Sequence, residues 1–199
     1  MKVITVLGTR PEMIRLSEII KQLDNNFNHI LVHTNQNFDH ELKKVFYDQL
    51  KIKYPKYDLK VREKTMIRTV SQILSKTEEV IIKEKPDAFF VLGDTNSALS
   101  AIVAKKYKIP IFHYEAGNRC YDERVPEEIN RKIVDHISDI NLTYSDFARD
   151  NLLREGLDPN RVIKIGSPLK EVIKENYDKI LSSEILTKLK LKKEEYFIF

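Results

Sequence analysis

The 199-residue chain holds 34 Lys and Arg against 30 Asp and Glu, for a net charge of +4, with 42% hydrophobic residues and no tryptophan. Its single cysteine, Cys120, excludes a disulfide framework and a multi-cysteine zinc site, and fits a reducing cytosol. No segment reaches the ~20 consecutive apolar residues of a membrane span, and the most basic stretch, 188–193, has four lysines without an interleaved aromatic, so neither membrane nor nucleic acid is an expected partner. At ~150 residues per domain, the length implies one domain, or one domain with the beginning of a second.

Taken in chain order, short apolar runs alternate with longer segments of helical period. Lys2–Leu7 reads as a buried first strand rather than a secretory leader, since no small-residue cleavage site follows it. Met13, Leu16, Ile19, Ile20 and Leu23 recur at helical spacing, followed by a strand at His29–His33. Val70, Ile73, Leu74, Val80 and Ile81 mark a helix that ends before Pro86, ahead of a strand at Ala88–Leu92. Strands are expected again at Ile109–Tyr114, Ile140–Thr143 and Arg161–Ile165, with helices opening after Pro126 and covering Asp146–Glu155. Several strands are apolar throughout, as strands buried on both faces are, and the β-α alternation predicts a doubly wound α/β domain with a parallel sheet. Gly166-Ser167-Pro168 marks the exit from a first domain spanning residues 1–168. Residues 169–199 then read as linker helices (Leu169–Ile180 and Glu184–Leu191) and a strand, Tyr196–Phe199, opening a second domain.

Four of the five glycines, Gly8, Gly93, Gly117 and Gly166, directly follow predicted strands, and Gly156 follows a helix. Ligands of open α/β sheets bind outside the carboxyl ends of the strands, so these turns mark the expected active face. Three loops there concentrate charge. Gly8-Thr9-Arg10-Pro11-Glu12 leads into a helix with Arg15 one turn on, where amides and forked guanidinium donors suit an anion. Gly93-Asp94-Thr95 follows an apolar strand; the third loop runs from His113-Tyr114-Glu115-Ala116-Gly117-Asn118-Arg119 to Pro126-Glu127-Glu128-Ile129-Asn130-Arg131. Asp94 and Glu115 at two strand ends would repel and desolvate one another, which makes a carboxyl a general acid or base near neutral pH. Glu127 or Glu128 alone reads first as a helix-dipole partner, His113 as a hydrogen-bonded core residue, and His136 as a packing residue beside Asp135 and Asp139. The histidines lack metal-ligand spacing, Cys120 has no neighbouring base, and neither G-x-G-x-x-G nor G-x-S-x-G is present.

In order and spacing, these four motifs resemble the non-hydrolysing UDP-N-acetylglucosamine 2-epimerases, over the N-terminal half of such an enzyme. The resemblance implies a Rossmann-like N-terminal domain of a two-domain, glycosyltransferase-B-like architecture, a cytoplasmic homodimer, and a role in cell-surface polysaccharide precursor synthesis. It implies inversion at C2 of a UDP-sugar without cofactor or metal, by elimination of UDP to a 2-acetamidoglycal and re-addition of UDP after protonation of C2 on the other face. It assigns Asp94, Glu115 and Glu127 as catalytic carboxyls, and Gly8, Thr9, Arg10, Arg15, Arg119 and Asn130 as substrate-binding residues. Arg15 stands where the family commonly has Lys and cannot shuttle a proton. Asn35-Gln36-Asn37-Phe38-Asp39 departs from a loop that in many members binds an activating UDP-sugar. The segment 118–128 is two residues shorter than usual and more like the branch that makes UDP-N-acetyl-L-fucosamine from a 6-deoxy talosamine nucleotide. The family's catalytic histidine and most of its uridine contacts belong to the second half, so this chain alone is expected to be inactive. A glycosyltransferase of the same architecture is the rival reading.

Overall fold

The computed structural model describes residues 1–35 and 40–197, the side chains of residues 40–43 excepted. Seven parallel strands form one sheet: β1 (Lys2–Leu7), β2 (Asn28–His33), β3 (Tyr57–Asp58), β4 (Ala88–Leu92), β5 (Ile111–Ala116), β6 (Ile140–Thr143) and β7 (Val162–Lys164). Their spatial order is β3-β2-β1-β4-β5-β6-β7, so the chain winds outward in both directions from the β1–β4 pair. That reversal leaves a crevice between the loops leaving β1 and β4, the switch point at which open α/β sheets bind ligands.

Alternating side chains of the central strands feed two apolar layers. On one face Val3, Leu7, Phe90 and Leu92 pack with Met13, Leu16 and Ile20 of α1 (Arg10–Asn26) and Tyr47 of α2 (His40–Leu50). On the other, Ile4, Val6, Phe89 and Val91 pack with Ile73, Val80 and Ile81 of α3 (Met66–Glu84), Val103 of α4 (Ala101–Lys106) and Val134 of α5 (Pro126–Ile137). A third, smaller cluster joins Ala116 and Val162 to Leu152 of α6 (Asp146–Arg154). Burying each large side chain of this kind contributes roughly 1.5–3 kcal/mol, which is why strands apolar on both faces sit at the centre.

Some element bounds differ from the sequence expectation for local reasons. β5 starts after Pro110, because the amide of Ile109 closes the preceding helix on Ala104 and proline has no N–H to give the ladder. It also runs on through Glu115, across an irregularity between Tyr114 and Ala116. The expected helix Leu169–Ile180 is two, α7 (Leu169–Glu175) and α8 (Tyr177–Leu181), separated at Asn176, whose side-chain amide donates to Val172 O. Glu184–Leu191 contracts to α9 (Ile185–Lys188). Tyr196 and Phe197 lie in no strand, and Ile198 and Phe199 are outside the described residues. α7 packs on α1, and Lys179 of α8 donates to Gln49 O at the end of α2.

Candidate active site

The loops leaving β1, β4 and β5 surround a cavity of about 660 Å³, lined by Thr9, Arg10, Arg15, Phe46, Leu92, Asp94 and Glu115 among others. Its floor is tied together by Glu12, which is buried in the first turn of α1. Glu12 Oε2 accepts from the amides of Gly8 and Thr9 at 2.9 and 2.7 Å and from the Thr9 hydroxyl at 2.8 Å. Its other oxygen accepts from the Thr95 hydroxyl at 3.0 Å, bridging the two loops that flank the switch point. Burial raises the Glu12 pKa, against the opposing pull of those hydrogen bonds. The loop amides expected to face an anion are therefore engaged with an internal carboxyl, and Arg10 and Arg15 are the cations that line the open cavity.

Glu115 sits at the end of β5 with φ +69°, a left-handed conformation that L-residues other than Asn and Asp seldom adopt. Gly93 opposite it has φ +67°, and a Cβ there would lie 3.5 Å from Glu115 Oε2. Glu115 lines the cavity, and a conformation this sparsely populated costs on the order of 1–3 kcal/mol that the surrounding structure must offset. Arg15 Nη1 meets Glu115 Oε2 at 2.5 Å. Burial raises the Glu115 pKa, Arg15 opposes that rise, and the neighbouring Asp94 charge adds to it.

Asp94 is held by the N-terminal part of α5. Arg131 donates from Nε and Nη2 to Asp94 Oδ2 at 2.9 and 2.6 Å, and from Nη1 to Glu128 Oε2 at 2.9 Å. Asn130 donates to the Asp94 carbonyl at 2.9 Å and to Asn96 Oδ1 at 3.2 Å. Glu128, fully buried, accepts from the amides of Cys120 and Tyr121, and these donors and Arg131 hold its pKa below the ordinary value despite the opposing effect of burial.

The structure thus brings Thr9, Arg10, Arg15, Asp94 and Glu115 around one cavity. Glu127 is exposed in the first turn of α5 and is not among the lining residues. Asn130 reaches the site through the backbone of Asp94. Arg119 is turned into the protein, its side chain wholly buried and committed to Asp135 and Glu155. Asn35 is described, whereas residues 36–39 of the loop after β2 are not. Sequence reasoning does not single out Glu12 or Arg131 as working parts of the site, and it reads Glu128 first as a helix-dipole partner. Thr9-x-x-Glu12 has the spacing of a capping box, and Glu128 and Arg131 the i,i+3 spacing of a helix pair. No spacing signals the Asp94–Arg131 pair across 37 residues. His136 faces Lys132 O and Glu155, while Asp139 caps the amide of Ile111.

Known proteins share this frame. The family model described as UDP-N-acetylglucosamine 2-epimerase matches residues 21–199. The solved UDP-N-acetylglucosamine 2-epimerase of Rickettsia bellii is 52% identical, with a TM-score of 0.92 over 96% of this chain and 52% of its own. The Methanocaldococcus jannaschii UDP-GlcNAc 2-epimerase, solved with UDP-GlcNAc and UDP, is 38% identical, with a TM-score of 0.89 over 95% of this chain and 53% of its own. The UDP-2,3-diacetamido-2,3-dideoxy-D-glucuronate 2-epimerase of Pseudomonas aeruginosa is 38% identical over 86% of this chain and 50% of its own length. The chain spans about half the length of the curated relatives it matches. With its seven-stranded Rossmann-like sheet and the motifs at its strand ends, the chain belongs to the UDP-N-acetylglucosamine 2-epimerase family.

Proposed function

We propose that this chain provides the acid/base wall of a UDP-N-acetylglucosamine 2-epimerase, an isomerase that inverts C2 of the sugar. The observation that carries the reading is the pair of strand-end carboxyls, Asp94 and Glu115, which line the cavity at the switch point and are each ion-paired to an arginine, Arg131 and Arg15 respectively. The C2 hydrogen has no adjacent carbonyl to acidify it, so its removal is coupled to departure of a leaving group. A carboxylate takes the C2 proton, the C2–H electrons form the C1=C2 bond of a 2-acetamidoglycal, and the C1–O bond breaks with its pair leaving on UDP. A protonated carboxyl on the other face then returns a proton to C2 while UDP re-adds at C1. Atoms and charge balance without an electron acceptor. Within this scheme Asp94 and Glu115 are the proton carriers on the cavity, and Glu127, exposed on the first turn of α5 outside that lining, is the third carboxyl that the family resemblance assigns. Arg10 and Arg15 face the departing diphosphate, and Gly8, Thr9, Arg119 and Asn130 shape the loops around it.

The relatives favour UDP-N-acetylglucosamine over the 6-deoxy talosamine nucleotide as substrate: those reported above are named for it or for a diacetamido sugar acid. In the same reading residues 1–168 are the N-terminal domain and 169–199 lead into a second one, and the whole enzyme is a cytoplasmic homodimer serving cell-surface polysaccharide synthesis. The test joins this chain to the second half of the R. bellii relative and incubates it with UDP-N-acetylglucosamine in D₂O, the 199-residue chain being run in parallel. Proton NMR should show deuterium entering C2, a trace of glycal and the C2 epimer for the joined protein, and no change for the shorter one. A joined protein that binds UDP yet leaves C2 untouched would contradict the proposal.

A further inference from the structure

Behind the cavity lies an ionic cluster whose centre is buried and whose outer end, Glu155, reaches the surface. His113 and Asp135 are both fully buried, with His113 Nδ1 2.8 Å from Asp135 Oδ1. The other ring nitrogen lies 2.8 Å from the Gly93 carbonyl, which can only accept, so it carries a proton. Burial lowers the His113 pKa, but the Asp135 carboxylate facing Nδ1 outweighs that and raises it above its ordinary value, favouring the doubly protonated ring. Asp135 also accepts from the Gly117 amide at 3.2 and 3.3 Å and from Arg119 Nη1 at 2.7 Å. Arg119 in turn grips both carboxylate oxygens of Glu155 at 2.7 and 2.6 Å. Asn141 of β6 lies beside the ring and donates to the Asp135 carbonyl.

The chain positions of these contacts matter. His113 is two residues before Glu115 and Gly117 two residues after it, so one carboxylate on α5 holds both feet of the arch that carries Glu115 at its strained φ. The Gly93 carbonyl held by His113 belongs to the peptide that leads into Asp94, while the Gly93 amide donates to Tyr114 O at 2.8 Å. We propose that Asp135 is a positioning residue, which through His113 and the Gly117 amide sets Glu115 and the start of the Asp94 loop in fixed relation. The proposal rests on reading Glu115 and Asp94 as the acid/base pair. Besides geometry, the brace favours the protonated form of His113, whose charge in turn favours the ionised form of Glu115. Asp135, Asn141, the Gly93 carbonyl and Glu115 itself are the groups that face the ring.

The test is an NMR titration of the 199-residue chain labelled at histidine ring nitrogens and glutamate carboxyls, comparing wild type with D135N, H113Q and D150N. Asp150 is an exposed position that serves as the control. Wild-type His113 should show both nitrogens protonated at neutral pH. In D135N it should lose its charge there, and the Glu115 midpoint should move to higher pH. H113Q should move Glu115 in the same direction and answers the question if D135N does not fold; D150N should move neither signal. In the joined enzyme, D135N should lower kcat by about 10²-fold, the loss expected of a catalytic group displaced by ~1 Å, with KM little changed. A neutral His113 in the wild type, or a Glu115 titration identical in all four proteins, would overturn the proposal. Because the titration reads protonation without turnover, a failed epimerase assay and a failed brace would show separately.

Discussion

Glu115 is constrained from three directions: by its left-handed backbone, by Arg15 and by the glycine opposite it. Burial raises its pKa, and Arg15 counteracts that rise. A base must be ionised to work, so activity governed by Glu115 should climb with pH above the ordinary glutamate range. Replacing Arg15 by Gln removes the counterion and should move that climb to higher pH, whereas Arg15→Lys should restore most of the wild-type profile; a pH series of kcat/KM checks both. An R15Q profile superimposable on wild type would separate Arg15 from the base. At this scale the sequence was partly legible. The carboxyls and glycines stand out because they interrupt apolar strands at their ends. Arg131 and Asp135 do not, because each acts through a partner more than twenty residues away, or in the case of His113 on another element.

The loops that carry the site are shaped by where elements begin and end. Gly117 shows this most directly: its φ is +82°, and a Cβ there would lie 2.1 Å from the Ala148 carbonyl of α6. Gly117→Ala forces α6 away from β5 and strains the backbone. It should destabilise the chain by at least ~1–3 kcal/mol, read as a lower urea midpoint at unchanged slope. At Gly156, where nothing lies within 4 Å but φ is +88°, alanine brings backbone strain alone and a smaller loss. Most strands and the long helices follow from apolar periodicity. β3 escapes it because two residues cannot show a period, and α4 because six residues make fewer than two turns. The displaced start of β5 follows from Pro110, whose missing N–H is visible in sequence although its effect on register is not.

Across the whole molecule, the sheet order places the Gly8 and Gly93 loops on either side of its reversal, and the doubly wound pattern was readable from β-α alternation alone. The order itself was not, since alternation does not say which strand lies beside which. The buried cluster also makes stability depend on pH. Burial lowers the pKa of His113, but Asp135 and the other acceptors outweigh that and hold it above its ordinary 6.5. A group bound more tightly to its proton when folded stabilises fully below the unfolded value, and that stability is lost as pH rises through the folded one. Wild type should therefore lose urea resistance on the alkaline side of neutrality, and H113Q should lose less of it over the same range; parallel curves would exclude His113 as the source.

The central claim is that Asp94 and Glu115 move the proton at C2. It is tested most directly by deuterium uptake at C2 of UDP-N-acetylglucosamine, catalysed by the joined protein carrying D94N or E115Q and compared with wild type at matched UDP affinity. Each variant should slow exchange by about 10²–10⁴-fold, the contribution of a positioned acid or base, while UDP still binds. Exchange at the wild-type rate in both variants would place the proton transfer on other residues and contradict the account.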